Sequence, residues 1–343
     1  MSEKSQWGSK LGFILASAGS AIGLGSVWKF PYMTAANGGG GFLLIFLIST
    51  ILIGFPLLLA EFALGRSAGV SAIKTFGKLG KNNKYNFIGW IGAFALFILL
   101  SFYSVIGGWI LVYLGIEFGK LFQLGGTGDY AQLFTSIISN PAIALVAQAA
   151  FILLNIFIIS RGVQKGIERA SKVMMPLLFI VLPQLFDKMP FGTIFYVLFL
   201  FATVTSSVVM LEINVGNITN QDNSKRAKWS VILGILTFVF GIPSALSYGV
   251  MADVHIFGKT FFDAMDFLVS NLLMPFGALY LSLFTGYIFK KALAMEELHL
   301  DERAWKQGLF QVWLFLLRFF VPSFQSSSLW SSLPNLCNQK GLE

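Results

Sequence analysis

Three consecutive hydroxyl side chains lie in the middle of the apolar stretch LFATVTSSVVM, at Thr205, Ser206 and Ser207. Hydroxyl oxygens are hard ligands, the kind that a small cation such as sodium prefers. The same side chains also bond readily to a carbonyl of the preceding turn in an ordinary helix. The motif therefore indicates either a cation site or helix back-bonding, and the residues alone leave both open.

Three glycines and two serines interrupt another apolar stretch, AGSAIGLGSVWKFP at residues 18–31. Backbone polar groups inside a bilayer must be satisfied, so a helix break is tolerated there only where it faces protein or a wet cavity. A break at Gly23, Leu24 and Gly25 would free carbonyls and expose half-helix ends, whose partial charges suit an ion or a zwitterion. The alternative is close helix packing, since small residues let helices approach one another.

Charged side chains inside the apolar stretches are few and more telling than other polar groups, and a mid-span tyrosine accompanies them. Lys29 and Asp266 both fall in the outer halves of their segments, where they can meet across the bundle as an ion pair. Glu61 lies near a cytoplasmic end, where it can pair with Arg66 in a structural role. The phenol of Tyr103 needs a hydrogen-bond partner when buried, either in a site or between two helices.

The elements that carry these residues are long apolar segments. Of the 343 residues, 56% are hydrophobic and 12% are charged, a composition typical of a protein dissolved in lipid. Membrane helices are predicted near 11–36, 41–65, 87–116, 141–160, 191–213, 230–249 and 263–289, with two weaker ones near 172–186 and 309–322. The tail PSFQSSSLWSSLPN has neither a helical pattern nor the charges of an ordinary terminus.

Lysine and arginine are concentrated in alternate loops. The basic clusters lie at 4–10, 66–84, 161–172, 225–228 and 290–306. Nine spans with a cytoplasmic N-terminus and an outer C-terminus place every cluster inside, as the positive-inside rule requires. The net charge of +8 therefore reflects topology and does not indicate a nucleic-acid partner. We expect a multi-pass protein of the cell membrane.

Catalytic chemistry has little support in the sequence. The single cysteine, Cys337, excludes an intramolecular disulfide or a cysteine-built metal site. His255 and His299 lie on opposite sides of the predicted membrane, and there is no nucleophile elbow, metal-ligand spacing or phosphate loop. We expect neither an enzyme nor an organic cofactor.

These motifs together resemble the neurotransmitter:sodium symporter family. GSAIGLGSVWKFPYMTAANGGGGF and GFPLLLAEFALGR are similar to the family's first two helices, LSFYSVIGGW to the third, and RGVQKGIERASKVMMP to the fourth-to-fifth helix region. ATVTSS resembles the eighth helix and MDFLVSNLLMPFGAL the tenth. The resemblance covers residues 5–320. It implies an all-α bundle with the inverted-repeat sodium-symporter fold, in one transmembrane domain over 1–343. Family helices 1–5 would lie at 11–186, helices 8–11 at 191–322, and a divergent tail at 323–343.

The resemblance implies two sodium sites. One would take the backbone carbonyls of Gly19, Ile22 and Ala202 with the hydroxyls of Thr205 and Ser206. The other would use Ala21 and Ser26 together with the carboxylate of the substrate. Ser26 stands where the family usually has asparagine.

The resemblance also implies an amino-acid site with an outer and an inner gate. The substrate-lining residues would be Ser20, Ala21, Leu24, Gly25, Leu99, Tyr103, Ser206 and Met210. Gly23 stands where the family's monoamine carriers have an aspartate that receives the amine, and glycine favours amino acids. Lys29 and Asp266 would form the outer gate. The inner gate would use Lys4 and Trp7, with Asn220 where an acid is expected and Asp222 nearby.

The chain departs from the family between PLLFI and VLPQLFDKMP, where the sixth and seventh helices are absent. The family builds its site from two broken helices, and only the first of them is present. The resemblance therefore implies a sodium-coupled amino-acid symporter that is impaired because half of its substrate site is missing. The alternative is a non-transporting membrane remnant, an internal-deletion product of such a transporter. Its partners would be sodium, an amino acid and the lipid bilayer; the sequence leaves its oligomeric state open.

Overall fold

A computed structural model describes residues 8–121, 130–184, 191–220, 222–300 and 304–332, and these residues are almost entirely helical. The α-helices are α1 (Lys10–Ala21), α2 (Phe30–Ala36), α3 (Gly40–Ser49), α4 (Phe55–Ala68), α5 (Ala72–Leu79), α6 (Asn86–Leu121), α7 (Tyr130–Ser139), α8 (Pro141–Ser160), α9 (Arg169–Gln184), α10 (Phe191–Thr219), α11 (Asn223–Leu246), α12 (Phe261–Phe267), α13 (Met274–Leu283), α14 (Lys291–Glu297), α15 (Ala304–Phe315) and α16 (Val321–Ser332).

Short irregular segments connect several of these helices. π-Helical turns occupy Gly25–Lys29, Thr50–Gly54, Val163–Glu168, Leu268–Leu273, Phe284–Ile288 and Leu316–Phe320, and a 3-10 turn occupies Asn83–Tyr85. A two-stranded antiparallel hairpin pairs β1 (His255–Ile256) with β2 (Lys259–Thr260), with His255 opposite Thr260.

Seven continuous helical segments are long and apolar enough to cross a membrane. They are Gly40–Ala68, Asn83–Lys120, Pro141–Ser160, Thr193–Thr219, Asn223–Leu246, Phe261–Ile288 and Trp305–Ser332. Helices Lys10–Ala21 and Gly25–Ala36 pass the same test together and are bent by 60° at the break between them, which makes an eighth. The ninth predicted span, 172–186, coincides with the 16-residue α9, and its last two residues lie outside the described part of the chain.

Large apolar side chains face outward along these segments. On α3, Leu44 is 62% and Ile45 is 66% exposed, which fits a surface in contact with lipid.

The prediction that the tail PSFQSSSLWSSLPN is not helical was wrong for its first part, because Val321–Ser332 continues the last span as α16. Its serines continue the helix because three of them donate to carbonyls three or four residues back, as Ser326 does to Ser323 at 3.0 Å.

The chain divides into two compact units. The first contains residues 1–32 and 96–265, and the second contains 33–95 and 266–343. The core of the first unit lies between α8 and α10, around the fully buried Phe151, Ile159 and Val215. The local sequence determines where α8 begins. Asn140 caps this helix by accepting from the N–H groups of Ala142 and Ile143, and a proline occupies its first turn.

The second unit has its own core around Leu64, Phe284, Phe310 and Leu317. The prediction that Arg66 pairs with Glu61 was wrong. Arg66 lies in the last turn of α4, and its Nε is 3.0 Å from a carboxylate oxygen of Glu297, the last residue of α14, which neutralises it instead.

Candidate functional site

The first span is broken where the glycines predict it. α1 ends at Ala21, and Ile22 leaves the helical region with φ −90° and ψ 78°. Helical bonding resumes with Val27, whose N–H reaches the Gly23 carbonyl at 3.2 Å. The N–H of Leu24 is freed by the break and donates to the Tyr103 phenol at 3.3 Å. The phenol therefore satisfies a backbone group that the break leaves without a helical partner.

The hydroxyls of α10 face the broken helix. Thr205 Oγ1 lies 2.9 Å from the Gly19 carbonyl oxygen. Ser206 Oγ lies 3.2 Å from the same oxygen and 3.1 Å from the carbonyl oxygen of Ser20. Both side chains are buried, so the hydroxyl face of α10 packs on α1 and does not point to lipid.

The two hydroxyls in this contact have more carbonyl oxygens within reach than they have protons to donate. Thr205 Oγ1 also lies 2.9 Å from the Phe201 carbonyl oxygen and 3.1 Å from that of Ala202, so helix back-bonding is present as well. A hydroxyl has only one proton to donate. Two hydroxyls therefore share two protons among four carbonyl oxygens, and the remaining lone pairs suit a small hard cation.

Four of the five residues predicted for this cation site meet here: Gly19, Ala202, Thr205 and Ser206. The fifth residue, Ile22, lies beside them, and its side chain packs on the apolar cluster of Leu198 and Ala202. The space around Gly19 is narrow, since a β-carbon there would be 3.0 Å from the sulfur of Met175 and 3.1 Å from Cβ of Thr205.

Gly23 allows α1 to approach α10 and α6. A β-carbon at this position would lie 2.4 Å from Ser206 Oγ and 3.0 Å from the Tyr103 hydroxyl. The first distance is shorter than any ordinary contact. Glycine is therefore required for the observed geometry. The sequence left two explanations of the glycines open, a helix break and close helix packing, and the structure shows both at this position.

The residues predicted for the second sodium site lie at the surface. Ser26 Oγ donates to the Ala21 carbonyl at 3.0 Å, which bridges the break, and both residues are exposed. Gly25 is also exposed, with no heavy atom within 4 Å of its added β-carbon. The half-buried Ser20 bonds within α1, to the Ser17 carbonyl at 2.8 Å.

The remaining substrate-lining predictions divide into two groups. Leu24 and Tyr103 are 4% and 7% exposed and form one apolar cluster, against which Met210 packs. Ser206 lies beside Gly23 at its edge. Leu99 is half-buried on α6, one turn before Tyr103.

The predicted gate residues are only partly described. Lys29 is exposed at the end of the π-helical turn in the first unit. Asp266 belongs to the second unit, where it accepts a hydrogen bond from Ser270 at 3.0 Å. Their pairing stays a prediction. Lys4 and Trp7 lie outside the described residues.

Asn220 and Asp222, at the predicted inner gate, lie between α10 and α11. Asn220 is exposed in a left-handed conformation, φ 52°. Asp222 caps α11 by accepting from Ser224 N and Oγ, at 3.0 and 2.7 Å, and these bonds lower the pKa of its carboxyl.

Sequence reasoning missed a buried carboxylate, that of Glu168 just before α9, which contacts the residues at the start of α1. Glu168 accepts from Gly8 N at 2.8 Å and Ser9 Oγ at 2.7 Å, and it pairs with Lys172 at 2.7 Å. Gly12 leaves room for it, since a β-carbon there would be 2.2 Å from its carboxylate. The hydrogen bonds, first that of Lys172, lower the pKa of Glu168 from 4.5 to about 2. An acid placed within the basic cluster at 161–172 was the available signal.

Sequence reasoning also missed Asn155, a polar residue in the middle of α8. It is 2% exposed and accepts from Ser207 Oγ at 2.7 Å. Its place inside FILLNIFIIS was the signal, because a polar group in a span requires a partner.

Comparisons with known proteins identify the family of this chain. Residues 4–124 match the family model described as the sodium:neurotransmitter symporter family. An uncharacterized sodium-dependent transporter, YhdH of Bacillus subtilis, is 39% identical over 430 residues, covering 92% of this chain and 95% of the relative. The chain belongs to the sodium:neurotransmitter symporter family.

Two further matches concern amino acids. The crystal structure of MhsT in complex with L-phenylalanine matches with a TM-score of 0.86 and 29% identity, covering 96% of this chain and 100% of that one. The rat sodium-dependent neutral amino acid transporter B(0)AT2 is 37% identical over 116 residues, 34% of this chain and 16% of the relative. The chain is thus a multi-pass membrane protein with the fold of MhsT.

The alignment also shows that this symporter-family chain is short. It extends over 430 positions, whereas 92% of 343 residues is about 316, so about 114 positions lie opposite gaps in this chain. The size of this gap agrees with the predicted loss of the family's sixth and seventh helices.

Proposed function

We propose that this chain is a sodium-coupled amino-acid symporter by descent that still binds sodium but does not carry out coupled transport alone. The observation that carries the proposal is the contact of Thr205 and Ser206 with the carbonyls of Gly19 and Ser20. It places neutral oxygen ligands from two helices around one point, and a monovalent cation needs no carboxylate there. The proposed ligands are Gly19, Ile22, Ala202, Thr205 and Ser206.

The proposed substrate is an amino acid. MhsT was crystallised with L-phenylalanine, and B(0)AT2 is named as a neutral amino acid transporter. In this chain the half-helix amides beside Gly23 and the phenol of Tyr103 would receive the carboxylate. Leu24 and Met210 would contact the side chain of the amino acid.

Coupled transport would be impaired because one wall of the substrate site is missing. Ala21, Gly25 and Ser26, which would hold the second sodium and the substrate, are exposed. A zwitterion in the membrane needs partners on all sides, because each unpaired polar group there costs several kcal/mol. The exposure of these residues therefore favours a non-transporting remnant that keeps one sodium site.

The location that fits this function is the cell membrane, with the N-terminus in the cytoplasm. The basic loops support that orientation through the positive-inside rule. Sodium would be cargo, and no organic cofactor is needed.

Uptake into proteoliposomes tests the proposal. The purified full chain is reconstituted with an inward sodium gradient and radiolabelled L-phenylalanine. MhsT, which binds L-phenylalanine, is reconstituted in parallel as the control protein. We expect no saturable, sodium-driven uptake by this chain. Saturable uptake that requires the sodium gradient would contradict the impairment and show that the chain transports without the missing helices.

A further inference from the structure

A buried hydrogen bond holds the rear of α10 against α8. Ser207 Oγ lies 2.7 Å from Asn155 Oδ1 and 3.1 Å from the Val204 carbonyl of its own helix, so its single proton goes to the nearer acceptor, Asn155. Asn155 Nδ2 donates to the Phe151 carbonyl at 2.8 Å. The exposed fractions of Ser207, Asn155 and Phe151 are 0%, 2% and 0%. The amide of Asn155 therefore uses its donor on its own helix and its acceptor on α10, which fixes both ends of the side chain.

This bond lies directly beside the proposed sodium ligands. Ser207 follows Ser206 in the chain, and successive residues of a helix point about 100° apart. The hydroxyls of Thr205 and Ser206 consequently face α1 while that of Ser207 faces α8. One turn of α10 is thus bonded to α1 on one side and to α8 on the other.

Helix α8 gives this bond a rigid support. Phe151 is packed so closely on α6 that a β-carbon at Gly107 would lie 2.5 Å from its ring. Around this bond, α10 also packs on the core that contains Phe151 through apolar side chains such as Val204 and Val208. The two hydroxyls that precede Ser207 contact α1 instead. Apolar contacts are non-directional, so they do not define the rotation of α10 about its axis as a buried hydrogen bond does.

We propose that Asn155 is a positioning residue for sodium. By holding Ser207, it sets the rotation of α10 at which the hydroxyls of Thr205 and Ser206 point at the carbonyls of Gly19 and Ser20. The inference rests on the proposed function, because it assigns Asn155 a role in that same sodium site. Residues that orient the ligands of a metal typically change its affinity by about 10–100-fold when they are replaced.

The test is a sodium titration of thermal unfolding on the purified full chain, with potassium keeping the ionic strength constant. The variants are Asn155→Leu, which keeps the size of the side chain, and Ser207→Ala. The matched control is Ser230→Ala, because Ser230 is also fully buried but bonds to Arg226 O of its own helix at 2.8 Å. Thr205→Val reports on the sodium site itself.

We expect the half-saturating sodium concentration to rise about tenfold in Asn155→Leu and Ser207→Ala, and to stay unchanged in Ser230→Ala. If Asn155→Leu does not fold, Ser207→Ala decides the outcome. A merely structural role would lower the unfolding temperature equally in sodium and potassium and leave the half-saturation unchanged, which would overturn the inference. If the wild type responds to sodium and Thr205→Val does not, the proposed function stands whatever Asn155 does. If the wild type does not respond, both fail.

Discussion

The hydroxyl of Thr205 donates to the carbonyl oxygen of Gly19 at 2.9 Å, across 186 positions of sequence. The contact joins α10 to the last full turn of α1, just before the break. It depends on small residues in α1, because larger ones would separate the two helices. The following predictions test this contact, the anchor at the start of α1, and the orientation of the chain in the membrane.

Replacing Gly23 with alanine should disrupt the contact between α1 and α10. The new methyl group would lie 2.4 Å from Ser206 Oγ, and overpacking of this kind costs about 1–3 kcal/mol. We expect a lower unfolding temperature and a loss of sodium-dependent stabilisation.

The matched control is Gly41→Ala, because Gly41 lies in α3 with no heavy atom within 4 Å of the added β-carbon. Alanine there should be neutral or stabilising by up to about 1 kcal/mol. Equal behaviour of the two variants would contradict the close approach at Gly23.

Replacing Glu168 with glutamine should loosen the start of α1 in a pH-dependent way. Because the pKa of Glu168 is lowered from 4.5 to about 2, its carboxylate contributes stability fully above pH 4.5 and loses this contribution as the pH falls toward 2. Wild type should therefore be more stable than Glu168→Gln at pH 6, and the difference should shrink below pH 4.5.

Glu297→Gln is the control for this comparison, because its ion pair with Arg66 is at the surface. Such pairs contribute about 0–1 kcal/mol, so this variant should stay close to wild type in unfolding temperature. A Glu168→Gln variant that differs from wild type by the same amount at pH 6 and pH 3 would refute the role of the ionised carboxylate.

The orientation in the membrane is tested by labelling single cysteines in a Cys337→Ser background. Lys225 lies in the first turn of α11, Asp253 lies in the turn that follows the other end of this helix, and both are exposed. The distribution of basic residues predicts that a membrane-impermeant thiol reagent reaches Asp253→Cys from outside and Lys225→Cys only after the membrane is opened. Labelling of Lys225→Cys in intact cells would contradict the predicted orientation and indicate the inverse topology. Arg226 is unsuitable for this test because it is 3% exposed and paired with Glu212.

Much of the fold could be predicted because lipid imposes a simple rule on sequence. The span predicted at 141–160 coincides with Pro141–Ser160, since an asparagine cap, a proline and an arginine mark its ends. The break in the first span was predictable for the same reason, because glycines in the middle of a membrane helix have few explanations. The tail was mispredicted because serines that bond to their own helix do not produce an apolar pattern.

The site was predicted less completely than the spans. Composition identified Thr205, Ser206 and the glycines, since each departs from the apolar pattern around it. Asn155 and Glu168 each have a partner within four residues, but the partners that tie them to another helix, Ser207 and Ser9, are more than 50 positions away. No local pattern encodes such pairings. For the same reason the sequence predicted Glu61 as the partner of Arg66, whereas the structure pairs Arg66 with the distant Glu297.

Sodium binding to the purified full chain tests the central claim most directly. Equilibrium binding of radioactive sodium is measured for wild type and for Thr205→Val, which removes the hydroxyl and keeps the shape of the side chain. The account predicts saturable binding of one sodium ion per chain in wild type and its loss in Thr205→Val. Absence of saturable binding in wild type, or unchanged binding in Thr205→Val, would contradict it.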